Sequence, residues 1–169
     1  MSTRCQVRVS SGVKGNEEAV TLYHHHDGYP TYMLKMMAKA YKNARTLLEN
    51  KGNEYQTKAD YWELGRGGKM ASFLCKEDPS EFEPESGHQL HGDIEWYYTI
   101  KPSDNDYSMA ANPKWNVTVY KILGFDKEQK KIPIVTGDLE EAAKIAQKIE
   151  DEGNKKGEEY YNKRQKVRV

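Results

Sequence analysis

Residues 4–30, RCQVRVSSGVKGNEEAVTLYHHHDGYP, decide the fold. From Arg4 to Ser10, Cys5, Val7 and Val9 fall on one side of an extended chain and Arg4, Gln6 and Arg8 on the other. That alternation predicts a half-buried strand. Ser11 to Asn16, with Gly12 and Gly15, reads as a turn. Glu18 to His26 reads as a second strand whose apolar content is Val20, Leu22 and Tyr23. So short a connection predicts an antiparallel hairpin. Asp27-Gly28-Tyr29 then breaks the strand. Pro30 suits the first position of a helix, where its missing N–H costs nothing.

Working outward, Met33, Met36, Met37, Ala40, Tyr41, Ala44, Leu47 and Leu48 recur at helical spacing. They predict a helix to about Asn50, with Gly52 as a left-handed cap. Asn53 to Leu64 reads as a short helix or an irregular segment, and Gly65-Arg66-Gly67-Gly68 interrupts it. Lys69 to Lys76 is a short apolar helix. Asp78 to His91, with Pro79, Pro84 and Gly87, reads as a long acidic loop. Asp93 to Lys101 alternates as a strand, Pro102 to Lys114 is a polar loop, and Trp115 to Phe125 is another strand. Ile132 to Thr136 is a short extended piece. Asp138 with Glu141 makes a capping box for a last helix, striped by Leu139, Ala142, Ala143, Ala146 and Ile149. The order ββα(α)βββα predicts an α+β domain over residues 1–151. Its antiparallel sheet has four to five strands, with two main helices, Pro30–Asn50 and Asp138–Asp151, on one face. Residues 152–169 read as a charged helical extension or tail.

A chain of 169 residues is one ordinary domain. Lys plus Arg equals Asp plus Glu at 26, which argues against a protein that coats nucleic acid or an anionic membrane. The hydrophobic fraction of 37% beside a charged fraction of 31% predicts a modest core and long solvated faces. Cys5 and Cys75 form no CxxC pair and read as buried free thiols. Met1 to Val13 has no apolar leader, and no run approaches the ~18 residues of a membrane span. The expectation is a cytoplasmic protein with no membrane association.

The chemistry-bearing residues form two groups. In Tyr23-His24-His25-His26-Asp27-Gly28-Tyr29-Pro30, His24 and His26 share one strand face, and His25 shares the other with Tyr23 and Asp27. In His91-Gly92-Asp93-Ile94-Glu95-Trp96, His91, Asp93 and Glu95 lie at two-residue spacing. If the two strands are neighbours, His25, Asp27, His91, Asp93 and Glu95 converge as catalytic candidates. A divalent metal there would be held by His25, Asp27, His91 and Asp93, and would activate water. The structural alternative outweighs this. Asp27 before Gly28 favours a local turn, and charges on a solvated strand face are routine. HExxH, zinc-ribbon and GxSxG patterns do not occur, so no cofactor is expected, and a divalent metal is the alternative kept open. Gly65-Arg66-Gly67-Gly68-Lys69 lacks phosphate-loop spacing. The chain has 12 Tyr and 3 Trp against 3 Phe, rings suited to half-exposed surfaces such as Tyr97, Tyr107 and Tyr120. The basic residues from Lys155 to Arg168 are interrupted by Glu158 and Glu159 and read as a solvated helix face, or as a weak nucleic-acid arm.

Both groups carry a resemblance. Tyr23 to Pro30 resembles a "YxHxDGYP" element, and His91 to Tyr98 an "HGDIEYxY" element with Trp96 in place of Tyr. Together with Phe82-Glu83-Pro84-Glu85, they are similar to an uncharacterised group of short bacterial, archaeal and phage or other mobile-element proteins. The likeness runs from about Arg4 to Ile100 and implies a setting, with no activity attached. The resulting expectation is a non-enzymatic accessory or inhibitory factor that binds a protein partner through Tyr29, Glu83, Glu85 and Tyr97. A divalent-metal hydrolase or nuclease is the rival, and a nucleic-acid factor using the basic tail is the third reading.

Overall fold

The structure, a computed structural model, describes residues 3–11, 18–49, 67–102 and 114–167. Expectations for Gly52, the 53–64 segment, Gly65 to Arg66 and Tyr107 lie outside them. Strands β1 (Cys5–Ser10) and β2 (Ala19–His24) pair antiparallel, with Cys5 opposite His24 and Ser10 opposite Ala19. β2 stops two residues before the predicted His26. The chain leaves it through Asp27, whose φ of 51° is left-handed. The Gly28 amide then donates to the Thr3 carbonyl at 2.8 Å. Helix α1 (Pro30–Glu49) begins at Pro30 as its ring geometry predicts. Helix α2 (Gly67–Glu77) follows.

Phe82–Pro84, read from sequence as part of a loop, is a short edge strand, β3, antiparallel to β2. β4 (Trp96–Pro102), β5 (Trp115–Leu123) and β6 (Lys130–Asp138) form an antiparallel meander. A 3-10 turn at Asp126–Glu128 joins the last two. Helix α3 (Leu139–Val167) closes the described chain. Asp138 caps it, accepting from the Glu140 amide at 3.0 Å and the Glu141 amide at 3.3 Å.

The fold is α+β, but the expected antiparallel sheet of four to five strands is corrected in two respects. Among the described residues there are six strands, in the order β3-β2-β1-β4-β5-β6, and the sheet is mixed because β1 and β4 run parallel. A parallel pair needs a long crossover, here the chain from His25 through α1, α2 and β3 to Glu95.

The helices cover one face. Met33, Leu34, Met37, Ala40 and Ala44 of α1, and Met70 and Leu74 of α2, meet Cys5, Val7, Val9, Leu22, Tyr98, Ile100, Val117 and Val119 of the sheet in one core. Ala142 and Ala146 bring α3 against the same core. The other face is roofed by the segment from Glu85 to Glu95. The side chain of Gln6, fully buried, donates to the Gln89 carbonyl at 3.1 Å and accepts from the His91 amide at 3.0 Å. Under this roof Tyr23, Ile94, Tyr97 and Ile122 form a small second cluster.

Candidate functional site

The roofed face gathers part of the sequence-predicted cluster around Tyr23. Its ring contacts the His25 ring at 4.8 Å and the His91 ring at 4.7 Å between centroids. Its hydroxyl donates to Asp93 at 2.9 Å, and Arg4 donates to the same carboxylate at 2.7 Å. Each flanking imidazole also has a carboxylate partner: His25 with Glu83 at 3.0 Å, His91 with Glu85 at 2.9 Å. Thus His25, His91 and Asp93 converge on one ring, and Glu83 and Glu85 are the hydrogen-bond partners of the two imidazoles.

The other two candidates sit elsewhere. Asp27 occupies the left-handed turn, and its charge bears on Tyr32. Glu95 precedes β4 and lies 3.8 Å from the Lys121 ammonium. The expected strand from Asp93 starts only at Trp96, so the two-residue spacing of Asp93 and Glu95 does not put them on one strand face.

The electrostatics favour a structural hub. Burial, with the hydrogen bond to Asp93 and its charge, pushes the Tyr23 hydroxyl up to about 12. Burial pulls Asp93 upward as well, but hydrogen bonds from Tyr23 and Arg4 and the Arg4 charge hold it below the ordinary carboxylate range. A phenol held so firmly protonated is a poor acid or base near neutrality. Among the described residues, no three His, Cys, Asp or Glu side chains are placed to hold one metal ion. Burial raises the thiols of buried Cys5 and half-buried Cys75, which suppresses the thiolate a nucleophile needs.

Sequence reasoning missed a second polar cluster. His24, fully buried, shares Asp78 with Tyr32: its Nε2 lies 2.9 Å from the carboxylate, and the Tyr32 hydroxyl donates to it at 2.8 Å. The ring packs edge-on against Phe82 at 4.7 Å. Its Nδ1 has no hydrogen-bond partner among the described residues. This cluster ties β2 to α1 and to the α2–β3 connection.

A further feature is an apolar groove on the helical face. Tyr29, Trp96, Val119, Ile134, Val135 and Ile149 line it, with Glu150 at its rim, and it encloses about 340 Å³. A β-bulge builds one wall. The register passes from Val119 opposite Val135 to Tyr120 opposite Pro133, so Ile134 is the extra residue of β6. Ile134 and Val135 therefore both line the groove, where strict alternation would send one away. Three of its large side chains remain open: Tyr29 at 39%, Ile134 at 49% and Ile149 at 53% exposure. The signal in the sequence is the unbroken run Ile132-Pro133-Ile134-Val135, which alternation cannot bury on one face.

Of the binding residues expected from sequence, Tyr29 lines this groove, while Glu83 and Glu85 belong to the Tyr23 hub. Tyr97 is only 5% exposed and lies with Tyr120 beneath the Lys131 ammonium. Among the described residues no helix is long and apolar enough to cross a membrane. Comparison of the chain with protein-family models, with curated proteins and with solved structures gives no match.

Proposed function

We propose that the protein is a non-enzymatic binding factor of the mobile-element accessory or inhibitory type, and that its groove takes the apolar face of a helix from a protein partner. The exposed trio Tyr29, Ile134 and Ile149 carries this reading. Large apolar side chains open to solvent in one concave patch mark interaction sites, because folding alone gives no reason to gather them. The groove lies between the start of α1 and the shaft of α3, a lane suited to a third helix anchored at i, i+3 and i+4. Glu150 at the rim asks for a basic residue beside those anchors. The tightly paired Tyr23 hub supports the same reading, since its ionisable groups are engaged with one another.

The test is a display selection of amphipathic helical peptides on the full chain, counter-screened on Ile134→Asp. Ile134 is half exposed, so the substitution should leave the fold intact. Enriched peptides should pair apolar anchors with Lys or Arg and bind the variant at least about tenfold more weakly, a difference of about 1.4 kcal/mol. Equal binding to both proteins, or enrichment of peptides without apolar anchors, refutes the groove as the binding site.

A further inference from the structure

The second half of α3 has no counterpart in the core. From Lys148 to Val167 every residue is exposed, and 20 residues of helix extend about 30 Å. Gly153 and Gly157 sit inside this arm. A Cβ at either would meet nothing within 4 Å, and neither glycine has the positive φ that demands it. The protomer therefore has no packing use for them, yet each weakens the helix. The favourable i, i+4 pairs Asp151–Lys155, Glu152–Lys156 and Glu159–Lys163 return less than the two glycines cost.

At 3.6 residues per turn, Glu150, Gly153, Gly157, Tyr160 and Arg164 form one line with alternating steps of three and four, the spacing of a coiled-coil seam. The two ends of the line are complementary when reversed about Gly157. Glu150 and Arg164 stand seven residues to either side of it, with opposite charge. In an antiparallel pair in that register Gly153 of one arm falls opposite Tyr161 of the other, and Tyr160 opposite Asn154. Gly157 meets its own copy on the two-fold axis, where the lack of side chains lets the backbones approach closely. A parallel pair would instead set Glu150 on Glu150 and Arg164 on Arg164.

We propose that a second copy of this chain covers the arm, in a two-fold antiparallel helix pair centred on Gly157 and closed at each end by Glu150 with Arg164 across the interface. The charge symmetry selects this occupant. Lys155, Lys156, Lys163 and Arg164 are interleaved with Glu158 and Glu159, so the arm offers no continuous basic track to nucleic acid. The pair shares Glu150 with the lining of the groove, whereas Gly157 lies outside it, so the Gly157 variant tests the pairing by itself.

Sedimentation equilibrium of the full chain tests it. Wild type should show a concentration-dependent dimer at twice the 19.5 kDa chain mass. Arg164→Glu should weaken the dimer at least about tenfold, which is about 1.4 kcal/mol. Adding Glu150→Arg should restore it. The two positions are 14 residues apart on one helix, so rescue between them can only occur across chains. Gly157→Leu should raise helix content by circular dichroism while abolishing the dimer, which separates loss of association from loss of folding. A wild-type protein that stays monomeric at every concentration overturns the proposal and leaves the arm to a different protein. A dimer that tolerates Gly157→Leu, or is not rescued by the charge swap, overturns it as well.

Discussion

Replacing Asp78 with Ala should destabilise the domain by about 3 kcal/mol, and the reason makes a second, sharper demand. Asp78 is the partner of both His24 Nε2 and the Tyr32 hydroxyl. His24 is 0% exposed and its Nδ1 already lacks a partner among the described residues. Removing the carboxylate leaves a buried imidazole with no described hydrogen bond, a penalty of about 1–3 kcal/mol, and loses the Tyr32 bond at about 1 kcal/mol. Tyr32 is half exposed, so water can take over its hydroxyl. For a chain of this length the sum corresponds to a midpoint lowered by about 6–12 °C. Replacing both partners, His24→Leu with Asp78→Ala, removes the orphaned ring and puts an apolar side chain against Phe82. The double variant should therefore be more stable than Asp78→Ala alone and fall within about 1.5 kcal/mol of wild type. Urea titration at neutral pH measures all three proteins, with the unfolding slope as a check that the same surface is exposed. A double variant as unstable as the sum of the two singles would show that burial of an unpaired imidazole is not what Asp78 prevents.

Gly28→Ala should cost about 2–3 kcal/mol in the same assay, because the added methyl would lie 2.8 Å from the Cys5 Cβ and 2.9 Å from its amide nitrogen, where backbone must move. On raising the pH, the unfolded chain releases its phenolic protons near 10, whereas Tyr23 and Tyr32 in the fold hold theirs to about 12. Their contribution is complete below 10 and lost as pH climbs to 12, so Tyr23→Phe should flatten the alkaline fall in stability, read by the ionised-phenol absorbance together with circular dichroism. Asp93 has the opposite sign: its lowered folded value gives stability that is present above about 4 and lost on acidification, and Asp93→Asn should make the acid limb of the curve shallower.

The hairpin, the start of α1 at Pro30 and the cap at Asp138 were legible because each rests on local chemistry: alternation, ring geometry, a side chain reaching the next amides. The parallel pairing of β1 with β4 was not, since a strand's own residues do not state the direction of its neighbour. β3 was hidden because Glu83 and Pro84 are poor strand residues. An edge strand tolerates them, as it is paired on one side only. Three successive histidines look alike in sequence, yet the His24 side chain is 0% exposed against 41% for His25 and 62% for His26. Alternation separates the faces of that strand but does not say which face α2 and Phe82 will cover. The cluster at His25, His91 and Asp93 was found by asking which groups share a face. It does not extend to Asp27 and Glu95, because β2 ends sooner and β4 starts later than their patterns suggest.

The parallel register of β1 and β4 also sets an order of assembly on the ribosome. Cys5 pairs with Trp96, so the middle of the sheet forms only when some ninety residues have been brought into a loop, a closure costing about 4 kcal/mol of chain entropy. The hairpin and α1 emerge first and can associate by local contacts. Until β4 is synthesised, however, the inner edge of β1 stands unpaired with Val7 and Val9 exposed beside it. Nascent chains halted before about residue 102 would therefore carry an open, apolar strand edge. Such truncated chains should be captured by chaperones that bind extended apolar segments, whereas chains released beyond β5 should escape them.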